Sequence, residues 1–104
     1  MQKVFVERRY ELEPNLEVAA RIFAPEERDG CFCCDYLITW PDREKRFYGA
    51  GEDGIQALLH ALMQVEVRLA TSQEYKDGKL KWLGTSYLGL PSTESFSTAP
   101  PPSL

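Results

Sequence analysis

The stretch from Gly49 to Gln73 restricts the fold more than any other part of the chain. It opens with Gly49-Ala50-Gly51-Glu52-Asp53-Gly54 and continues as the one strong helical pattern in the sequence. Asp53 is placed to cap the helix, because its carboxylate can accept from free amides of the first turn. Gln56, three residues on, completes a capping-box spacing. Glu52 and Asp53 also favour the positive end of the helix dipole. Gly49, Gly51 and Gly54 are read as a sharp turn out of a preceding strand. Ile55, Leu58, Leu59, Leu62, Val65 and Leu69 recur at helical spacing and form one apolar stripe. From Asp53 to Gln73 such a helix spans roughly 30 Å, enough to lie across a whole sheet. A glycine-rich turn before a helix can also hold phosphate. Here no Lys-Ser or Lys-Thr follows the glycines, and Glu52 and Asp53 would repel an anion, so capping is the preferred reading.

The rest of the chain reads mainly as strands. Residues 3–12 alternate, with Val4, Val6, Arg8, Tyr10 and Leu12 on one face and Phe5, Glu7, Arg9 and Glu11 on the other. A turn at Pro14-Asn15 leads to residues 16–24, where Leu16, Val18, Ala20 and Ile22 share a face. So short a connection implies an antiparallel hairpin. Pro25 to Gly30 is read as a charged loop ending in the turn pair Asp29-Gly30. Residues 31–40 form a third strand, with Phe32, Cys34, Tyr36, Ile38 and Trp40 opposite Cys31, Cys33, Asp35, Leu37 and Thr39. Residues 43–49 form a short, polar fourth strand. After the helix, Asp77-Gly78 marks a turn, and Lys79 to Leu83 is read as a fifth strand. The sequence predicts an α+β domain over residues 1–91: a four- to five-stranded antiparallel meander sheet with one long helix across one face, in the order β-β-β-β-α-β. Residues 92–104, rich in Ser, Thr and Pro, are read as a disordered tail.

Several residues here resemble a known pattern. They are Glu7-Arg8-Arg9, the aromatic and cysteine third strand, Gly51-Glu52-Asp53-Gly54-Ile55-Gln56-Ala57-Leu58, and the segment around Trp82. Together they resemble a family of small bacterial domains of unknown function, over most of residues 3–91. The resemblance implies a short stand-alone bacterial protein. It implies no activity, catalytic residue or ligand.

Composition excludes some functions. The 104 residues carry a formal net charge of −4, which disfavours nucleic acid as a partner. No apolar run approaches the roughly 20 residues of a membrane span, and the first residues lack the apolar region of a signal peptide. A cytoplasmic location with no membrane partner is the expectation. Cys31, Cys33 and Cys34 are too close together for a disulfide framework and supply only one cluster of metal ligands. His60, the single histidine, falls away from the apolar stripe and is expected to face solvent. A metal site, a cofactor and a cysteine nucleophile activated by His60 are therefore not expected.

Two groups of candidate binding residues remain. Arg8 on the apolar face of the first strand and Glu66 near the helical stripe are expected to be partly buried and to meet if the helix covers that face; the alternative is that each sits at the rim and snorkels to water. Phe5, Arg9, Arg21, Phe23, Cys33, Asp35, Leu37 and Tyr48 share the other sheet face, mixing apolar and charged groups as an interface does. A solvated face with scattered apolar residues is the alternative. The function expected is non-catalytic binding of a protein partner, or of a second copy as a homodimer. An immunity or antitoxin-like role is one version of it, by analogy only. The alternative is a small-molecule or enzyme site in a crevice between helix and sheet, using Tyr36, Tyr48, Arg8 and Glu66.

Overall fold

The computed structural model describes residues 2–92. The segment read as a disordered tail lies outside the described residues, apart from Ser92. In chain order the elements are β1 (Val4–Leu12), β2 (Leu16–Phe23), β3 (Glu26–Arg28), β4 (Cys31–Thr39), β5 (Glu44–Gly51), α1 (Gly54–Ala70), α2 (Gln73–Lys76) and β6 (Leu80–Lys81). All pairings are antiparallel. One sheet runs from β5 through β4 and β2 to β1, with β6 on the far side of β1. The fold is the α+β meander with one long helix that strand alternation predicts. No helix among the described residues is long and apolar enough to cross a membrane.

The extra strand, β3, corrects the reading of Pro25–Gly30 as a loop. Residues 19–22 of β2 pair with 39–36 of β4, and residues 26–28 of β3 pair with 33–31 of the same strand. β2 and β3 thus lie end to end along β4. Pro25, which has no N–H to give the ladder, sits at the break between them.

The glycines before α1 need a second correction. Gly49 and Gly51 belong to β5 and do not form a turn. The helix lies directly on them. A Cβ at Gly49 would come within 2.8 Å of the Ala61 Cα, and one at Gly51 within 2.8 Å of the Gln56 carbonyl carbon. This close approach rotates the helix relative to the predicted stripe. Its buried line is Ala57, Ala61, Val65 and Leu69, one residue every four. Leu58 and Leu62 flank that line, while Ile55 is 72% exposed. Small side chains meet missing side chains, so the largest apolar residues of the helix are not all inside.

The helix starts as its capping residues predict. The Asp53 carboxylate accepts from the Gln56 N–H at 2.8 Å, and the Gln56 side chain accepts from the Glu52 N–H at 2.7 Å. It ends at Ala70, earlier than Gln73. The Thr71 N–H closes the last turn on the Val67 carbonyl, and Ser72 caps the new turn of α2 by accepting from Tyr75 N–H.

The core lies between the helix and one sheet face. Tyr10, Val18, Ile22, Cys34, Tyr36, Ile38, Val65, Leu69, Leu80 and Leu88 are buried there. At the open end of β1 a bulge between Val4 and Val6 shifts the register. Val4 and Val6 are exposed there, as is Leu16 near the opposite turn, although alternation predicts the core face for all three.

Candidate functional site

The sheet face away from the helix is tied together by its own charges. Glu7 accepts from Arg9 at 3.0 Å and from Arg21 at 2.7 Å, and Arg9 also reaches Glu17 at 2.7 Å. Arg28 holds Asp35 at 2.6 Å, and Arg46 approaches the same carboxylate at 3.2 Å while contacting Gln2. The hydrogen bonds of Arg21 and Arg9 hold the Glu7 carboxyl below its ordinary range. For Asp35, burial pushes upward, but the bond and charge of Arg28, with Gln2 and Arg46, outweigh it and leave the group lowered. Phe23, read as part of a mixed apolar and charged outer face, is buried with Arg46 stacked 4.7 Å above its ring. Cys33 is buried as well, and Leu37 is half-buried. Phe5 and Tyr48 remain exposed, at 57% and 55%. Of the residues predicted for this face, Arg9 and Arg21 join one set of ion pairs through Glu7, Asp35 joins a second through Arg28 and Arg46, and Phe5 and Tyr48 stay exposed.

On the β1 side the crevice between helix and sheet is largely filled. Arg8 and Glu66 are both half-buried. Arg8 lies 4.0 Å over the Trp82 ring and donates to the backbone carbonyls of Leu88 and Gly89. Tyr10 donates to the Leu88 carbonyl at 2.8 Å. These contacts strap residues 82–90 onto the β1 half of the core. The space left beside Val6, Arg8, Tyr10, Ile22, Leu62 and Leu90 is about 100 Å³, small against the roughly 300–1,000 Å³ of small-molecule sites. Tyr48 lies on the opposite sheet face. The four polar residues of the predicted crevice therefore do not converge.

Tyr36 has a different setting. Its hydroxyl donates to the Gln64 side chain at 2.7 Å and accepts from Arg68 Nε at 2.6 Å. Arg68 lies flat against Phe47, 3.4 Å from the ring centroid. Gln64, Arg68 and Phe47 of this cluster line a trough between α1 and the outer edge of β5, with Tyr36 buried beneath. One part, about 620 Å³, is lined by Ala50, His60, Met63, Gln64, Val67, Arg68 and Thr71. A second part, about 240 Å³, shares Arg68 and Thr71 and adds Trp40, Arg43, Lys45 and Phe47. The trough is open along its length.

His60 is exposed, as its position on the helix predicts, but it is also engaged. Its Nδ1 lies 2.6 Å from the Ala50 carbonyl. A carbonyl only accepts, so Nδ1 carries the proton and Nε2 faces outward. Sequence reasoning missed the trough. Gln64 and Arg68 are four apart on one helix face, and Lys45 and Phe47 share a strand face. Both facts are visible in the sequence, but nothing there says that the two faces meet.

The cysteines are unlike an activated site. Cys34 is fully buried, its thiol donates to the Phe23 carbonyl at 3.2 Å, and burial pushes its pKa up to about 11. Burial also raises Cys33. Both shifts reduce thiolate, the form a nucleophile or metal ligand needs. Cys31 is exposed.

An α+β domain, an antiparallel sheet with one long helix packed against it, is the class that these features define. The chain belongs to the family described as a domain of unknown function, DUF6968, whose model matches residues 6–92. No curated protein and no solved structure matches it.

Proposed function

We propose that this domain is a non-catalytic protein-binding module. The observation that carries this reading is a contrast. The polar groups of the helix–sheet crevice are spent on internal contacts, whereas among the described residues no strand pairs with the outer edge of β5, beside exposed Phe47 and Tyr48. The raised thiols and the roughly 100 Å³ crevice on the β1 side argue against a catalytic or enclosed small-molecule site there, and the larger space beside β5 is an open trough. An immunity-like role is one form of such binding. It would appear as a single partner held one-to-one whose own activity stops on binding. Homodimer formation is another form of the same reading.

The test is site-specific photo-crosslinking in the native cell. A photoreactive side chain is placed singly at Phe5, Tyr48, Ile55 and Leu83, all exposed. One discrete protein adduct, or an adduct of twice the chain's mass, is the expected result. No adduct from any position would overturn the binding reading and turn attention to small ligands.

A further inference from the structure

We propose that β5 and the trough beside it take an extended acidic segment of a partner protein as an added strand. This rests on the protein-binding reading and names its surface and the chemistry of the partner.

The β1 and β5 edges of the sheet differ. The β1 edge carries a bulge and is covered at Glu11 and Leu12 by β6, both of which discourage strand addition. β5 pairs with β4 in unbroken register from Glu44 to Gly51 and contains no proline. In an antiparallel ladder the N–H and C=O of one residue point the same way, and the direction alternates along the strand. The Arg43 carbonyl accepts from Trp40 N–H across the start of the hairpin, and the Ala50 carbonyl faces His60. Arg46 and Tyr48 therefore present their backbone groups to the free side. Alternate side chains of an added strand would meet Phe47, Met63 and Val67.

Charge selects the partner. The chain carries a net charge of −4, yet the trough lining includes Arg43, Lys45 and Arg68 and no carboxylate. Arg43 is engaged by Glu74 and Asp42. Lys45 and Arg68 are not in ion pairs among the described residues. Arg68 is held by Tyr36 and Phe47 with its terminal nitrogens not hydrogen-bonded among the described residues, a fixed fork suited to a carboxylate. Pairing of two β5 edges would bring like cationic surfaces together. A foreign acidic segment avoids this.

The probe is a random-peptide display library panned on the purified protein. The expected survivors alternate apolar and acidic residues. They bind about tenfold more weakly, or worse, to Tyr48→Pro, which removes an outward N–H, and to Arg68→Glu. Lys45→Glu, at an exposed position, gives the same direction should Arg68→Glu fail to fold. Failure to enrich acidic peptides, or binding indifferent to all three substitutions, overturns the proposal. So does a dimer of the free chain that Tyr48→Pro dissolves, because the occupant is then a second copy. Photo-crosslinks from Phe5 or Ile55 but never from Tyr48 would also overturn it, while leaving the protein-binding reading intact.

Discussion

The two halves of the covered sheet face are closed in different ways. Over β4 and β5 the helix descends until backbone nearly meets backbone, Gly49 and Gly51 under Ala57 and Ala61. Over β1 and β2 the cover is made of bulk and polar ties: Leu62, Val65, Trp82, Leu88 and Leu90, with Arg8 and Tyr10 hydrogen-bonded to the strap that carries them. The first closure depends on the absence of atoms and tolerates no addition. The second depends on side chains and is weakened by subtraction. Packing at crystal-like density makes both sensitive, with opposite signs.

The largest effect is expected from Gly49→Val. The new side chain meets the Ala61 and Ala57 backbone, which cannot swing aside. The helix must lift, at a cost of about 3 kcal/mol or more, read as a drop in Tm. Cys34, which pairs with Gly49 in the ladder, reports the same event locally. Its buried thiol should resist iodoacetamide at neutral pH in the parent and react in the variant. If Gly49→Val leaves both Tm and Cys34 protection unchanged, the close-approach account fails. Next comes Leu88→Ala, which removes a buried side chain from the strap and should lower stability by roughly 2–3 kcal/mol in urea unfolding, with Cys34 still protected below the transition. Arg8→Met should be milder, about 1–2 kcal/mol, through loss of the Trp82 stack and the carbonyl bonds. Arg8→Lys would restore less than half of that, because a compact ammonium reproduces neither contact well. Equal tolerance of Lys and Arg would show that charge alone matters there.

The smallest effect concerns acid, on the side of the sheet that neither cover touches. Asp35 has a lowered pKa in the fold, from an ordinary value of 3.8. A lowered carboxylate contributes stability in full above its unfolded pKa and loses it as pH falls through the folded one. The Arg28–Asp35 pair should therefore contribute fully above about pH 4 and decline below it. Arg28→Gln should raise the Asp35 midpoint in a carboxyl-carbon NMR titration. An unmoved midpoint would show that Arg28 is not the dominant partner.

Local chemistry was legible in the sequence wherever it acts locally. Asp53 and Gln56 announce the helix start because the bonds they make lie within four residues. Alternation gives the strands because the pleat has a period of two. Pro25 was legible as an interruption but not as a gap between two strands sharing one neighbour, since that depends on β4. Gly49 and Gly51 mislead for a similar reason. A glycine that frees a turn and a glycine that admits a helix look the same until the helix is placed. Ile55 follows from that error, because the stripe was centred on the largest residues and not on Ala57 and Ala61. The outer face was legible in composition but not in its ion pairs, as Glu7 and Arg21 become neighbours only through the β1–β2 register. The trough was least visible, since Lys45, Phe47 and Arg68 belong to different elements.

The strap has a consequence in time. Its ties to β1 span 78 to 81 residues of chain, whereas α1 follows β5 after two residues. Contacts between distant segments form late, because the intervening loop must be closed before they add anything. The β4–β5–α1 unit is thus expected to assemble early, and the strap to dock as the closing step. With Trp40 replaced by Phe, Trp82 becomes the single indole and its fluorescence should lag the far-ultraviolet dichroism during refolding.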